Sequence, residues 1–471
     1  MAMQYGEIQQ HLSGFNRWWG DPDGWATSDP DLQRAAQAPF NYMAHVLTDI
    51  APGGLYTLRG PRRVGKSVEV KKAIEALISD GTDPRLVVYM SVDGWQADNL
   101  GRLVDAATVL QPPGHRYWFI DEITSISDGW PHRIKWLRDN DGRFGDDTVV
   151  LTGSSAADLG TAIGTLLGRR GGAINPDRVL LPIGFRTFAS LRAECRGQPL
   201  PPGDIGPLAI ADLGTNLLRE AAYELAPWLH DLVMAWEAYL LTGGFPQAAA
   251  DHITARATDS PLPRSLLDLV HRDALHQTDW SRVQTSAFLQ RLAGGLGSPA
   301  NRSAIANDIH TSANTVQRRI AALQEAFVLW PCHRSHNLHV QLRAQEKLYF
   351  TDPIFTRILA DSPTDSSLLS EQQLGMALLR GLEREEPGSY LEFDRVLHHR
   401  NKSGTEIDFV STAFGGCAIE SKYVDARWRR ATRTLADSPW QGIVATRSVL
   451  DLEDSDLLAI PAAFLAWLTD A

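Results

Sequence analysis

The amino-acid sequence predicts an α/β fold in which a parallel sheet wrapped by helices is followed by a mainly helical stretch and then by a small α/β module. Three observations carry that expectation. From Leu55 to about Phe188, short apolar runs alternate with amphipathic stretches, the habit of strands buried on both faces and joined by crossover helices. Between about Ala189 and Pro299, helical periodicity replaces strand patterning. After Glu371 a helical stretch leads into the short β-like runs LEFDRVLHHR, TEIDFVST and CAIESKY.

In chain order, the first region offers LYTLR, LVVYMSV, YWFID and VVLTGSS as strands. The Pro/Gly-rich QPLPPGDIGP then breaks the chain as a linker would. Asn301 to about Asp352 has a helix-turn-helix pattern that ends in strand-like segments. The expected division is 1–188, 189–299, 300–360 and 361–471, in keeping with a 471-residue chain too long for one ordinary domain. There are no internal repeats and no long low-complexity segments.

Composition narrows the function. With 44% apolar and 21% charged residues the chain has an ordinary soluble make-up. Its net charge of -11 and pI near 5.7 rule out a polycation, so any nucleic-acid surface has to be a local patch. Cys195, Cys332 and Cys417 follow no paired spacing of a disulfide or zinc framework, which suits a reducing compartment. The opening MAMQYGEIQQHLSGF lacks a basic region followed by an apolar core, and no run approaches the roughly 18 apolar residues of a membrane span. The expectation is a cytoplasmic protein with no cleaved leader and no membrane partner.

The sharpest motif is GPRRVGKS, comprising Gly60, Pro61, Arg62, Arg63, Val64, Gly65, Lys66 and Ser67, set between a strand and a helix. It fits the G-x-x-x-x-G-K-S phosphate loop. Gly60 and Gly65 allow the backbone to turn its N–H groups toward phosphate oxygens. Lys66 would reach the β- and γ-phosphates, Ser67 would ligate magnesium, and the helix N-terminus would add its partial positive charge. YWFIDE then reads as a buried strand delivering Asp121 and Glu122 to its C-terminal edge. Asp121 would hold magnesium and Glu122 would polarise the attacking water. One candidate strand lies between the loop and the acids and another follows them, the order of the additional-strand ATPases. ATP and Mg2+ are the implied cofactors. A polar residue at the end of the following strand would sense the γ-phosphate, with Thr152, Ser154 and Ser155 as candidates. Arg169, or its neighbour Arg170 in LLGRRGG, could reach that phosphate in cis or across the interface of a homo-oligomer; a solvated turn explains the pair equally.

These motifs, together with LTGSSAADL, LLPIGFRTFASL and TGGFPQA, resemble the archaeal-type ATPase family, relatives of the AAA and STAND ATPases. The resemblance runs discontinuously from about Leu55 to about Tyr423. It implies an AAA-like P-loop core, a winged-helix segment and a nuclease-like C-terminal domain.

Two further constellations point toward nucleic acid. In NRSAIANDIHTSANTVQRRIAALQEAFVLW, Ile305 and Ile309 precede a turn where Ser312 caps a second helix carrying Val316, Ile320 and Leu323. In a DNA-binding version Asn314, Thr315, Gln317 and Arg318 would enter the major groove, and Arg302, Arg318, Arg319 and Arg334 outnumber the nearby acids. Packing or protein contact is the competing reading. The following CHRSHNLH supplies Cys332, His333, His336 and His339, without the spacing of a zinc site. Farther on, TEIDFVSTAFGGCAIESKY places Asp408, then eleven residues, then Glu420, with Lys422 on the same strand face as Glu420. A turn at Phe414-Gly415 would bring Asp408 beside them. Two carboxylates and a lysine suit a Mg2+ or Mn2+ ion and phosphodiester cleavage, and the pattern resembles the D-(x)n-E-x-K signature of the restriction-endonuclease-like fold. Glu371 could add an acid, with Glu406 and Arg400 as secondary candidates. A solvated hairpin is the alternative for this segment. For the whole chain, the main alternative is a nucleotide-gated switch that binds a protein partner through an inactive nuclease-like domain. A remodeller assembled as a ring is the third reading.

Overall fold

Five short strands, β1 (Leu55–Arg59), β2 (Val87–Ser91), β3 (Tyr117–Asp121), β4 (Thr148–Thr152) and β5 (Asp177–Val179), form one parallel sheet in the order β2-β3-β4-β1-β5. The strand that follows the acid pair thus inserts between the loop strand and the acid strand. The computed structural model describes residues 3–126, 128–153, 164–256, 260–271, 280–360, 362–401, 405–426, 428–429, 435, 438–454 and 456–470. Ser154 and Ser155 lie outside the described residues. The chain divides into two compact units, Met1–Leu181 and Pro182–Ala471.

The first unit's sheet is apolar on both faces, as parallel strands require. Val88 and Met90 point into a cluster with Ile8 and Leu12 of α1 (Tyr5–Phe15). Leu103 of α3 (Asp98–Leu110) and Ile134 of α4 (Trp130–Asn140) join the same cluster. Their neighbours Val87 and Tyr89 point the other way, against Val70 and Ile74 of α2 (Lys66–Ser79) and against Trp18 and Trp25. Burying each such side chain stabilises by about 1.5–3 kcal/mol. The N-terminal stretch also closes the outer edge of β2. Asn16 donates to the Tyr89 carbonyl at 3.0 Å and accepts from the Tyr89 amide at 2.6 Å. The indoles of Trp18 and Trp19 both donate to the Val87 carbonyl at 3.0 Å. Side chains thus take the backbone groups that an open edge would leave for another chain.

The second unit holds a seven-stranded sheet in the order β14-β13-β12-β11-β10-β7-β8 and a two-stranded sheet of β6 and β9. Its strands are β6 (Leu329–Cys332), β7 (Arg334–His336), β8 (His339–Val340), β9 (Lys347–Phe350), β10 (Leu397–Arg400), β11 (Glu406–Val410), β12 (Cys417–Ser421), β13 (Gln441–Thr446) and β14 (Leu457–Pro461). Pairing is antiparallel from β10 through β12 and parallel from β12 through β14. Strand β7 pairs in parallel with β10, so the hairpin after the helix-turn-helix pattern and the later strands form one sheet.

Among the helices of this unit are α5 (Phe185–Arg196), α6 (Leu229–Thr242), α7 (Arg302–Asp308), α8 (Ala313–Glu325), α9 (Ser366–Glu385) and α10 (Ala462–Thr469). Ser312 caps α8 by accepting from the Thr315 amide at 3.1 Å, and Val316, Ile320 and Leu323 are buried as their spacing predicts. The segment TGGFPQA acquires a structural reason, in its contact with the residue before GFRTF. The Ile183 amide donates to the Gly244 carbonyl at 2.7 Å, and a Cβ on Gly244 would stand 2.0 Å from the Ile183 carbonyl oxygen. Only glycine permits that backbone approach.

Candidate functional site

The phosphate loop leaves the C-terminal end of β1 and enters α2. Gly60 has φ +151°, and a Cβ there would lie 2.2 Å from the Leu180 carbonyl oxygen; Gly65 has φ +106°. Arg63 also takes a left-handed φ of +65°, so the loop curls tightly enough to turn its amides inward. Lys66 is buried, and its ammonium donates to the Gly60 and Pro61 carbonyls at 2.9 and 3.0 Å. Burial lowers its pKa to about 8, against the pull of Glu122 and Asp121. This lysine is poised for an anion, because a phosphate would restore the charge that burial opposes.

Asp121 ends β3 facing the loop. Its carboxylate accepts from the Ser67 hydroxyl at 2.9 Å, the Tyr89 hydroxyl at 2.8 Å and the Glu122 amide at 3.0 Å, and also from the Thr152 hydroxyl. The expected loop serine and acid therefore meet, and Thr152 joins them. Glu122 follows in a left-handed turn with φ +56°, a sparsely populated conformation for a non-glycine residue that commonly marks functional sites. Tyr89 is the participant that sequence reasoning missed. In LVVYMSV it reads as one more apolar strand residue. Burial, with Asp121 beside it, pushes its phenol far up, so it remains a donor.

Residues 53–189 match the AAA domain family. The AAA domain is a P-loop NTPase core, and its family implies nucleotide binding. A second stretch, residues 234–364, matches a domain of unknown function (DUF8612). Among curated proteins, none matches this chain. Similar solved structures include a Walker-type ATPase of Pyrococcus abyssi, 14% identical over 72% of this chain and 95% of that one, with a TM-score of 0.36. The Aeropyrum pernix ORC1 protein in complex with DNA is 13% identical over 76% and 95%, with a TM-score of 0.29. A Thermotoga maritima RuvB mutant is 13% identical over 66% and 88%, with a TM-score of 0.27. Likenesses this distant carry no argument about activity.

The arginine pair within the matched stretch is engaged by other groups. Arg170 donates to the Leu55 carbonyl at 3.2 Å and to Asp177 at 2.8 Å. Arg169 pairs with Asp139 at 3.0 Å. Leu55 begins β1 and the loop leaves its other end, roughly 13 Å away at about 3.3 Å per residue. Arg170 is thus held at the start of β1 and Arg169 on Asp139 of α4, each engaged by a contact other than the phosphate loop.

In the second unit the β11–β12 hairpin turns through Gly415 and Gly416, both at positive φ. Its register pairs Phe409 with Ile419, which sets Asp408 opposite Glu420 one step on. Asp408 Oδ2 accepts from the Ser421 amide at 2.8 Å, and Lys422 Nζ lies 2.6 Å from Glu420 Oε1. Glu371 of α9 joins them, as the sequence suggested. Unforeseen is Lys347 of β9, whose ammonium stands 3.0 Å from Glu371, 2.5 Å from Glu406 and 2.8 Å from Asp408. Burial and Asp408 raise the pKa of both Glu371 and Glu420. Burial opposes the charge on Lys347, but the surrounding acids overcome it and raise its pKa. Among the described residues no group of three or more His, Cys, Asp or Glu is arranged to hold a metal ion, and this includes CHRSHNLH. On α8, Asn314, Gln317 and Arg318 are exposed and Thr315 is half-buried. Arg302 pairs with the buried Glu346, which neutralises part of the local basic excess. No helix among the described residues is long and apolar enough to cross a membrane.

Proposed function

We propose that this chain binds ATP with magnesium at Gly60–Ser67 and hydrolyses it, with Glu122 orienting and polarising the attacking water. The observation that carries the reading is the meeting of Ser67 and Asp121 at 2.9 Å beside the buried Lys66. The site fits the nucleotide. Its glycines are shaped for a backbone cradle, its lysine is held on loop carbonyls that an anion can displace, and its serine and aspartate are a hard-oxygen pair suited to magnesium. When bound, magnesium supplies charge neutralisation at the phosphates. Ser67 and Asp121 would hold the metal, and Tyr89, Thr152 and the Glu122 amide orient Asp121 for it. Lys66 keeps its proton and offsets developing negative charge. Thr152, already on Asp121, is the described candidate for sensing the γ-phosphate. Arg169 is assigned to that phosphate, in cis or from a neighbouring subunit of an oligomer.

Nucleic acid is the partner we assign to the winged-helix segment, on the strength of the exposed Asn314, Gln317 and Arg318. For the C-terminal module, the alternatives are metal-dependent cleavage through Asp408, Glu420 and Lys422 or partner binding without cleavage. The ammonium of Lys347 among the acids favours the second. The deciding experiment for the ATPase is the Glu122→Gln variant, expected to bind ATP normally while turnover falls about 10²–10⁴-fold, the usual contribution of a general base. Lys66→Ala should lose binding or turnover. Unaltered hydrolysis by purified Glu122→Gln protein would overturn the assignment of Glu122. Turnover measured with and without DNA or RNA across a salt series tests the partner.

A further inference from the structure

The C-terminal acid cluster carries its own cation. Lys347 opens β9 with a side chain only 2% exposed; its ammonium donates to Glu371 and Asp408 and forms an ion pair with Glu406. Tyr349, two residues along the same strand face, donates its hydroxyl to the same Glu371 oxygen. Asp408 is engaged on both oxygens, Oδ1 by Lys347 and Oδ2 by the Ser421 amide. Glu420 gives one oxygen to Lys422 and keeps Oε2 buried without a partner. A divalent ion between Asp408 and Glu420 would therefore meet carboxylates already engaged by donors and a fixed buried positive charge beside it. As they stand, these residues do not fit the metal.

We propose that Lys347 is the resident cation of this cluster, standing where a divalent metal would otherwise be held. The ion pairs then fasten β9, and with it the two-stranded sheet after the helix-turn-helix, to α9 and β11. Metal binding and this fastening are mutually exclusive, because both use Asp408 and Glu371. The coupling is reciprocal, so whatever loosens β9 opens the cluster to metal and whatever fills the cluster loosens β9. A buried lysine that loses its acids, or acids that lose their lysine, are strongly destabilised. This inference deepens the non-cleaving reading of the module and is independent of ATP hydrolysis by the AAA domain.

The test is Mn2+ binding to the full-length chain without nucleotide, followed by calorimetry and by the electron paramagnetic resonance of free Mn2+. Comparison is among wild type, Asp408→Asn, Lys347→Met and the Lys347→Met/Asp408→Asn double variant. Any ion taken by Ser67 and Asp121 is common to all four and cancels. Wild type and Asp408→Asn should bind alike, while Lys347→Met should gain a site at least about tenfold tighter, lost again in the double variant, as expected for removal of a fixed like charge. Asp408-dependent Mn2+ binding by wild type at micromolar concentration would overturn the proposal. A folded Lys347→Met protein with no gain would overturn it too. If Lys347→Met does not fold, the first two proteins decide, since equal binding supports the resident lysine and unequal binding refutes it. ATP turnover measured in parallel separates failure here from failure of the ATPase reading.

Discussion

Replacing Tyr89 by phenylalanine removes one hydroxyl from the acid that we assign to magnesium. That hydroxyl donates to Asp121 Oδ2 at 2.8 Å, and a hydrogen bond to a charged group contributes about 1.5–3 kcal/mol. Asp121 retains Ser67, Thr152 and the Glu122 amide, so the lower end applies to the resting protein. A loss of about 1.5 kcal/mol lowers the melting midpoint of a unit this size by roughly 3–6 °C. The functional consequence differs, because Ser67 would be a ligand of bound magnesium, and Tyr89 would then be the remaining donor to Oδ2. Loss of that donor should raise the magnesium concentration for half-maximal ATP turnover about tenfold, the equivalent of about 1.4 kcal/mol, with kcat at saturating magnesium little changed. The assay is steady-state ATP hydrolysis across a magnesium series, alongside thermal melts. A purely structural tyrosine would lower the melting point and leave the magnesium midpoint alone, and that result would refute the positioning role.

Three further outcomes follow from the same geometry. Because Lys66 has its pKa lowered to about 8, it is largely neutral at pH 9, and a bound phosphate has to recharge it. Magnesium-free nucleotide binding should therefore take up close to one proton at pH 9 but only about a tenth at pH 7, with affinity about tenfold weaker at the higher pH. Calorimetry in buffers of different ionisation heat checks this, and uptake that survives in Lys66→Met would assign the proton elsewhere. In the second unit, Gly244→Ala pushes a Cβ to 2.0 Å from the Ile183 carbonyl oxygen, which should cost about 2–4 kcal/mol in urea unfolding; an unchanged midpoint would remove the reason given for TGGFPQA. On α8, Arg318→Ala should weaken DNA binding and reduce its salt slope by about 1 if Arg318 meets phosphate, and an unaltered slope would return the segment to a packing role.

The phosphate loop and its acid pair were legible because each is contiguous and owes its meaning to local geometry. Glycines that must turn, a serine entering a helix and acids at a strand end need no tertiary context. The helix-turn-helix capped by Ser312 was legible for the same reason. Tyr89 and Lys347 were not, since a strand pattern gives the face of a side chain but not what lies across it. Period two sets Lys347 and Tyr349 on one face of β9, while the acids they meet arrive from 24 and 61 residues away. The direction of Arg169 and Arg170 was not legible either, because a glycine-rich loop has no periodicity to fix it; the bond from Arg170 to Leu55 sets that side chain at the start of β1.

The two buried lysines give the difference a physical form. Lys66 rests on two neutral carbonyls, and burial lowers its pKa, so its charge is completed only by an incoming anion. Lys347 rests among three carboxylates, and its pKa is raised, so its charge is already met. The same residue type under similar burial is a receptor in one unit and a closed contact in the other. Composition and motif cannot separate the two cases, because the deciding quantity is the sign of the neighbouring charge, and that is set by the fold.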